Sequence, residues 1–429
     1  MRCDSRSTRL TSQIDAPEPL RVLFVHSPAD FYGASQSLLR LCRDLRLIHY
    51  DIAIVLPAEG VLAERLREVG AEVFVLPGIV RVERHNFANV SAKLRFAYNI
   101  AMDCAAQYRI LRRWRPDVVH TNVSLVPAAA IAAMLCRRPH LWHLRESFDE
   151  FRTLWPLYRR FMTAFAARIV CNSLVTAAQF DGARAAGRVR VVYNGLNPTE
   201  FCDFPPAAIA EWRRRFSPDH GPVIGVVGRI KLVRKGQEIL LAAAERLAKA
   251  FPAARFVCIG GPYAGNESHV EELRERARTA GLQDRFLVTG DVADVGPAIA
   301  ALDIVVMPSV TPEPFGNVVM EAMCLGKPVV ASANGGAREQ VEHGTTGILF
   351  PAGDAAALAA ALASLLADPV LARAMGEAGR KRFSTLFSSE RNCAAIRYIY
   401  RELGLEPPAI HLVGQSLRRR MSLPADGST

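Results

Sequence analysis

The chain has 429 residues, half of them hydrophobic and 22% charged, which is the composition of a soluble globular protein too long for one ordinary core. Its longest nearly uncharged apolar run, residues 123–136, is too short to span a bilayer, and residues 1–20 carry Arg2, Arg6 and Arg9 without the apolar core of a signal peptide, so the cytoplasm is the expected compartment. The net charge of +11 is uneven, with 27 Lys+Arg against 18 Asp+Glu in residues 1–200 and 26 against 24 in the rest; with no zinc finger, RNP motif or basic zipper, nucleic acid is not an expected partner.

Residues 1–20 read as a disordered tail. Residues 21–26 (RVLFVH) are a strand, Gly33 lies in the turn after it, and residues 35–45 carry helical spacing through Leu38, Leu41, Cys42 and Leu45. A strand at 51–56, a helix at 61–69 and a strand at 72–76 follow. Further strands at 117–120 and 140–143 flank an Ala-rich helix at 127–135, and strands at 168–172 and 190–193 close this half. The strands are continuous apolar runs, which points to a parallel sheet buried on both faces. Residues 197–220 hold Pro198, Pro205, Pro206 and Pro218 and read as a linker around a helix-like AAIAEWRRRF. A second series begins with strands at 223–227 and 255–259 and helices at 236–250 and 270–280. It continues with strands at 286–289, 304–307, 328–331 and 347–350 and helices at 316–324, 355–366 and 369–383.

The expected organisation is therefore two doubly wound α/β domains, 21–196 and 221–385, each with a parallel sheet, facing a central cleft. A helix at 386–404 is expected to pack back on the first domain. Residues 405–429 read as a flexible basic tail containing Arg418, Arg419 and Arg420. The nine cysteines are scattered, with no CxxC pair, which argues against a disulfide framework and against a zinc site.

Two segments carry chemistry. In PSVTPEPFGNVVMEA, residues 308–322, a buried strand ends in a polar loop with Glu313, and Phe315, Gly316 and Asn317 open a helix whose free N–H groups suit a diphosphate. Glu321 lies on that helix, about 7–8 Å from its start, so one acid reaches a sugar ring and the other a ribose. After the first strand of the second domain come Gly228-Arg229 and Lys235-Gly236, a guanidinium fork and a point charge suited to pyrophosphate.

In order and spacing these segments resemble the family-4 glycosyltransferases, which have the two-Rossmann-domain GT-B fold. The resemblance runs from about residue 21 to 403. It passes through Gly33, Tyr193-Asn194-Gly195, Gly228-Arg229, Lys235-Gly236, Ile259-Gly260-Gly261, Glu313 to Ala322, Gly326-Lys327-Pro328 and Gly335-Gly336 with Glu339. It implies a retaining transferase that takes a nucleotide-diphosphate sugar as donor and needs no cofactor and no metal. Arg229 and Lys235 would bind the diphosphate, Glu321 the ribose hydroxyls and Glu313 the donor sugar, with backbone amides of Phe315, Gly316 and Asn317 nearby. Gly33 would let the first-domain loop approach the phosphates. His143, in LWHLRES, matches the family's active-site histidine and is assigned to positioning, with Arg145, Glu146 and Asn122 on the acceptor side. The first turn, Tyr32-Gly33-Ala34-Ser35, departs from the family in having one glycine and no acid. Asn122 stands where a second histidine is frequent, and Asn197 where the family often has Asp.

Acceptor recognition falls to the basic first domain. Residues 93–115 and 151–168 mix Lys and Arg with aromatic residues and read either as interfacial helices on an anionic membrane surface or as ordinary packing helices. The expected acceptor is a carbohydrate or lipid-linked intermediate of a surface polysaccharide. A sugar-nucleotide epimerase of the same fold, a transferase with a soluble acceptor, and a non-catalytic binding protein remain alternatives.

Overall fold

The structure, a computed structural model, describes residues 18–28, 30, 31, 33–148, 154–181 and 187–405. Most of the expected N-terminal tail and the arginine cluster at 418–420 lie outside the described residues. The first sheet has seven strands: β1 (Arg21–Val25), β2 (Asp51–Leu56), β3 (Glu72–Val75), β4 (Val118–Thr121), β5 (His140–Leu144), β6 (Arg168–Cys171) and β7 (Val189–Val191). The second has six: β8 (Val223–Val227), β9 (Arg255–Ile259), β10 (Phe286–Val288), β11 (Ile304–Met307), β12 (Val329–Ser332) and β13 (Gly347–Phe350). The orders are β3-β2-β1-β4-β5-β6-β7 and β10-β9-β8-β11-β12-β13, and every pairing is parallel. These are the two parallel-sheet Rossmann-like domains that the apolar runs predict.

The reason for those runs is visible in the packing. Val22 and Phe24 of β1 join the core under helix Gly33–Leu47, while Leu23 and Val25 join the core with Trp114 and the alanines of helix Ala128–Leu135. Consecutive residues thus meet helices on opposite faces, and neither face is left for polar side chains. The strand order reverses at β1/β4 and again at β8/β11, and the carboxyl ends of those strands are where ligands sit in open α/β sheets.

The segment read as a linker is more ordered than its prolines suggest. Pro198 and Pro206 each sit in the first turn of a helix, Pro198–Phe201 and Pro206–Phe216, where proline starts a helix rather than breaking one. Phe201 and Phe216 are buried in the second domain's core, with Trp212 packed against it. The chain crosses between domains a second time beside this point: the Leu196 N–H donates to the Phe387 carbonyl at 3.0 Å, and the Ser389 N–H donates to the Leu196 carbonyl at 3.1 Å. Helix Ser389–Glu402 then returns to the first domain. Its Ile396, Ile399 and Tyr400 join the core of Leu38 and Leu41, and Glu402 pairs with Arg168 at 3.1 Å and Arg190 at 2.8 Å. Among the described residues no single helix is long and apolar enough to cross a membrane.

Candidate functional site

A cleft of about 460 Å³ lies between the two domains and brings together Gly33, Arg145, Arg229, Lys235, Glu313, Phe315, Gly316, Asn317 and Glu321. Two helix N-termini meet in it. Helix Gly33–Leu47 starts at the end of β1 and helix Asn317–Cys324 after β11, one from each domain. Asn317 joins them: its Nδ2 donates to the Gly33 carbonyl at 3.4 Å, and its Oδ1 accepts from Asn194 Nδ2 at 2.8 Å. The positive ends of both helix dipoles therefore meet at the cleft, which favours an anion there.

Lys235 is placed by the turn that follows it. Gly236, the N-cap of helix Gln237–Leu247, has φ +73°, and a Cβ there would come within 2.0 Å of the Pro308 carbonyl oxygen. Only glycine fits, so the loops after β8 and β11 touch, and Lys235 Nζ reaches Glu313 Oε1 at 2.9 Å. Ser309 Oγ donates to the same oxygen. Burial pushes the Glu313 carboxyl up, but the Lys235 charge and the hydrogen bonds from Lys235 and Ser309 outweigh it, and the net shift is downward. Glu313 is thus held ionised. Arg229 stacks its guanidinium 4.4 Å over the Tyr263 ring. Phe315 packs its ring against Tyr193 and Phe387, with centroids 5.9 and 5.8 Å away.

Glu321 behaves oppositely. Its side chain is 8% exposed, and burial pushes its carboxyl up, with Arg40 of the first domain 3.7 Å away pulling it only part of the way back. A carboxyl raised by folding stabilises the fold most at low pH and loses that contribution as pH rises through its folded value. Glu321→Gln without ligand is therefore expected to melt above the parent at pH 8 by about 2–4 °C, or on the order of 1 kcal/mol. The gain should vanish near pH 4; calorimetry across that range checks it, and a pH-independent difference would contradict the assignment.

The first-domain wall differs from the reading made for His143. Side chains alternate along β5, so His143 and Arg145 share a face but at different depths. His143 is fully buried and does not line the cleft; its Nδ1 lies 3.2 Å from His120 Nε2, and His120 Nδ1 lies 2.9 Å from the Tyr400 hydroxyl. Arg145, two residues on, takes the cleft position. Its Nε donates to Asn122 Oδ1 at 3.1 Å and its Nη1 donates to Asn194 Oδ1. Asn122 is itself buried, with its Nδ2 3.3 Å from the Ala34 carbonyl and from His26 Nδ1, so it holds Arg145 rather than facing the cleft. Glu146 turns away: its Oε2 accepts from Ser124 Oγ at 2.6 Å and from the Arg145 N–H at 3.2 Å. Burial, with Arg145 next in weight, pushes His26 and His120 down to about 3 and His143 well below its ordinary value, so all three rings are neutral.

Glu339 of the Gly-Gly-x-x-Glu motif also leaves the cleft. Its carboxylate accepts the Leu174 and Val175 N–H groups at 2.7 and 2.9 Å, capping a first-domain helix from the second domain. Arg40, Ser309, Asn194 and Tyr263 were not singled out for the site from sequence. Asn194 had a signal, the Tyr-Asn-Gly at the end of the first half, whereas Arg40 looks like any polar position on a helix.

Residues 31–200 match the family profile described as Glycosyltransferase Family 4, and residues 221–368 the one described as Glycosyl transferases group 1. The chain is 30% identical over 370 residues to the 2-deoxystreptamine N-acetyl-D-glucosaminyltransferase of Streptomyces fradiae, covering 80% of this chain and 85% of that protein. It is 30% identical over 325 residues to the phosphatidyl-myo-inositol mannosyltransferase of Mycolicibacterium smegmatis, covering 72% and 80%. Among solved structures it is similar to Anabaena HepE in complex with UDP and glucose, with TM-score 0.74 and 26% identity over 88% of this chain and 98% of that one.

Proposed function

The chain belongs to glycosyltransferase family 4, and on that premise we propose that it moves a hexosyl group from a nucleotide-diphosphate sugar, with retention, to a lipid-linked or polysaccharide intermediate. The observation that carries this reading is the meeting of two helix N-termini with Arg229 and Lys235 in one cleft, with Glu313 and Glu321 on either side. Arg229, Lys235 and the amides of Phe315, Gly316 and Asn317 receive the diphosphate and stabilise the charge left on it when its bond to the sugar C1 breaks. These cations do the work of a metal, and no cofactor is needed beyond the donor itself. Glu321 takes the ribose hydroxyls and Glu313 the sugar hydroxyls. Gly33 keeps the first-domain helix start free of a side chain. His143 positions the wall from beneath. The Anabaena relative, solved with UDP and glucose, supports a nucleotide-sugar donor for this fold and sequence.

A panel of UDP-, GDP- and ADP-sugars tests the donor. One base is expected to raise the melting temperature clearly, since a ligand at 100 times its Kd adds about 2.7 kcal/mol. No shift with any nucleotide would sink the reading, and conversion of a sugar nucleotide to its epimer without acceptor would replace it with isomerisation.

The acceptor side of the proposal places the enzyme on an anionic membrane face, and the mannosyltransferase relative, named for phosphatidyl-myo-inositol, favours a lipid acceptor. Helix Val90–Trp114 exposes Val90, Leu94, Tyr98 and Met102 at 71, 67, 64 and 53%, a single stripe at spacing four, with Lys93 and Arg95 beside it. The second basic–aromatic segment contributes less. In its described part, Trp155 and Tyr158 turn inward, with rings 4.1 Å from Phe148 and 6.4 Å from Trp142. Leu94→Asp is expected to cut co-sedimentation with anionic vesicles about fivefold or more. Binding that ignores both this change and salt would remove the membrane claim.

A further inference from the structure

Helix Ser389–Glu402 does more than pack on the first domain: it carries a hydroxyl to the histidines beneath the cleft wall. Tyr400 Oη lies 2.9 Å from His120 Nδ1, and His120 Nε2 lies 3.2 Å from His143 Nδ1. All three side chains are fully buried, and the two imidazoles stack with centroids 5.3 Å apart. The series of contacts ends at His143 Nε2, which is buried and has no hydrogen-bond partner among the described residues. His143 stands near the carboxyl end of β5, two residues before Arg145, which lines the cleft.

Burial keeps both rings neutral, so each carries one N–H and one lone pair. Only two proton patterns then make both hydrogen bonds. In the first, the Tyr400 O–H donates to His120 Nδ1, His120 Nε2–H donates to His143 Nδ1, and the His143 proton sits on Nε2. In the second the directions reverse: His143 Nδ1–H donates to His120 Nε2, His120 Nδ1–H donates to Tyr400 Oη, and His143 Nε2 is left as a lone pair. The second also strands the Tyr400 proton, since this buried hydroxyl makes no other hydrogen bond among the described residues. It therefore orphans two buried groups where the first orphans one, and folded chains avoid buried orphans. Resting on the transfer reading above, we infer that Tyr400 is a positioning residue: its hydroxyl fixes both tautomers, so that His143 offers the site an Nε2–H donor and no base. A ring with its proton there orients a substrate hydroxyl by donating to the oxygen, and it cannot take that hydroxyl's proton.

The test reads the rings directly. The full chain, with isotope-labelled histidine ring nitrogens and no ligand, is observed by long-range proton–nitrogen correlation, and His120→Gln and His143→Gln assign the two rings. In the parent both rings are expected to be single Nε2–H tautomers, the two nitrogens of each far apart in shift. In Tyr400→Phe each proton pattern orphans one donor and one acceptor, so the two become comparable and the His143 nitrogens should move towards a common, averaged shift. Turnover of the donor found in the panel should fall about threefold to tenfold through kcat, with nucleotide affinity within about twofold of the parent. Tyr50→Phe is the control. Tyr50 is as deeply buried in the same cluster, its ring is 6.1 Å from Tyr400, and among the described residues its hydroxyl bonds no histidine. That variant should leave both the shifts and kcat as they are in the parent. Parent spectra with His143 protonated on Nδ1, or Tyr400→Phe spectra that match the parent's, overturn the inference, as do equal losses of kcat in Tyr400→Phe and Tyr50→Phe. The parent spectra decide the tautomer even if Tyr400→Phe does not fold. They need no nucleotide, so failure of every nucleotide to bind would end the donor reading and leave the role of Tyr400 to the ring shifts.

Discussion

Lys235→Ala is expected to lower kcat/KM by about 10²–10³, the size seen when one preorganised group facing developing negative charge is removed. The loss should fall on kcat more than on KM, because the diphosphate gains charge only as the sugar leaves. Stability should change little. Lys235 and Glu313 have side chains 34% and 21% exposed, and a partly exposed pair contributes modestly to folding. Glu313 also keeps its hydrogen bond from Ser309. Steady-state kinetics with the donor found in the panel, beside a melting curve, checks both halves of the expectation. A rate within threefold of the parent (about 0.7 kcal/mol) would remove Lys235 from the diphosphate site.

Gly335→Ala should act through the backbone. Gly335 has φ +51°, and a Cβ on it would lie 2.3 Å from the Glu313 carbonyl oxygen and 2.7 Å from the Glu313 nitrogen. Neither atom is the end of a flexible side chain, so the loop bearing Glu313 must shift. The adjacent hydrogen bond from the Gly336 N–H to the Glu313 carbonyl, 2.8 Å long, would be strained with it. The expected cost is about 2–4 kcal/mol, or about 5–12 °C in melting temperature for a domain of this size. Activity should fall at least tenfold (about 1.4 kcal/mol or more) as Glu313 leaves Lys235. Gly344→Ala is the control. Gly344 also has a positive φ, +79°, but nothing lies within 4 Å of its Cβ position, so it bears only the left-handed cost of about 1–2 kcal/mol. Equal losses in the two variants would show that the contact with Glu313 is not what excludes a side chain.

Much of this architecture was legible from the chain alone, and the reason is local. A strand such as β1 or β11 is apolar at every position because helices cover both of its faces, and that pattern needs no knowledge of the partner. The strand–loop–helix run ending at Asn317 and Glu321 is equally local, since its geometry is set within a dozen residues. Proline at 198 and 206 is ambiguous for the same reason inverted. The residue that breaks a helix interior also starts a helix, and only the packing of Phe201, Trp212 and Phe216 on the second domain separates the two cases.

The sequence by itself determined two parallel-sheet domains and a cleft lined by acids and cations from the second of them. Hydrophobic periodicity and loop chemistry are short-range properties that survive being read in one dimension. Only the tertiary structure decided which charges meet. Lys235 finds Glu313 across two loops, Glu321 finds Arg40 across the domains, and Glu339 caps a helix of the other half, while Arg145 rather than His143 reaches the cleft, its side chain held by the amide oxygens of Asn122 and Asn194. Those outcomes depend on strand order and on which face a side chain takes, and an ion pair between residues 78 positions apart leaves no trace in the spacing of either.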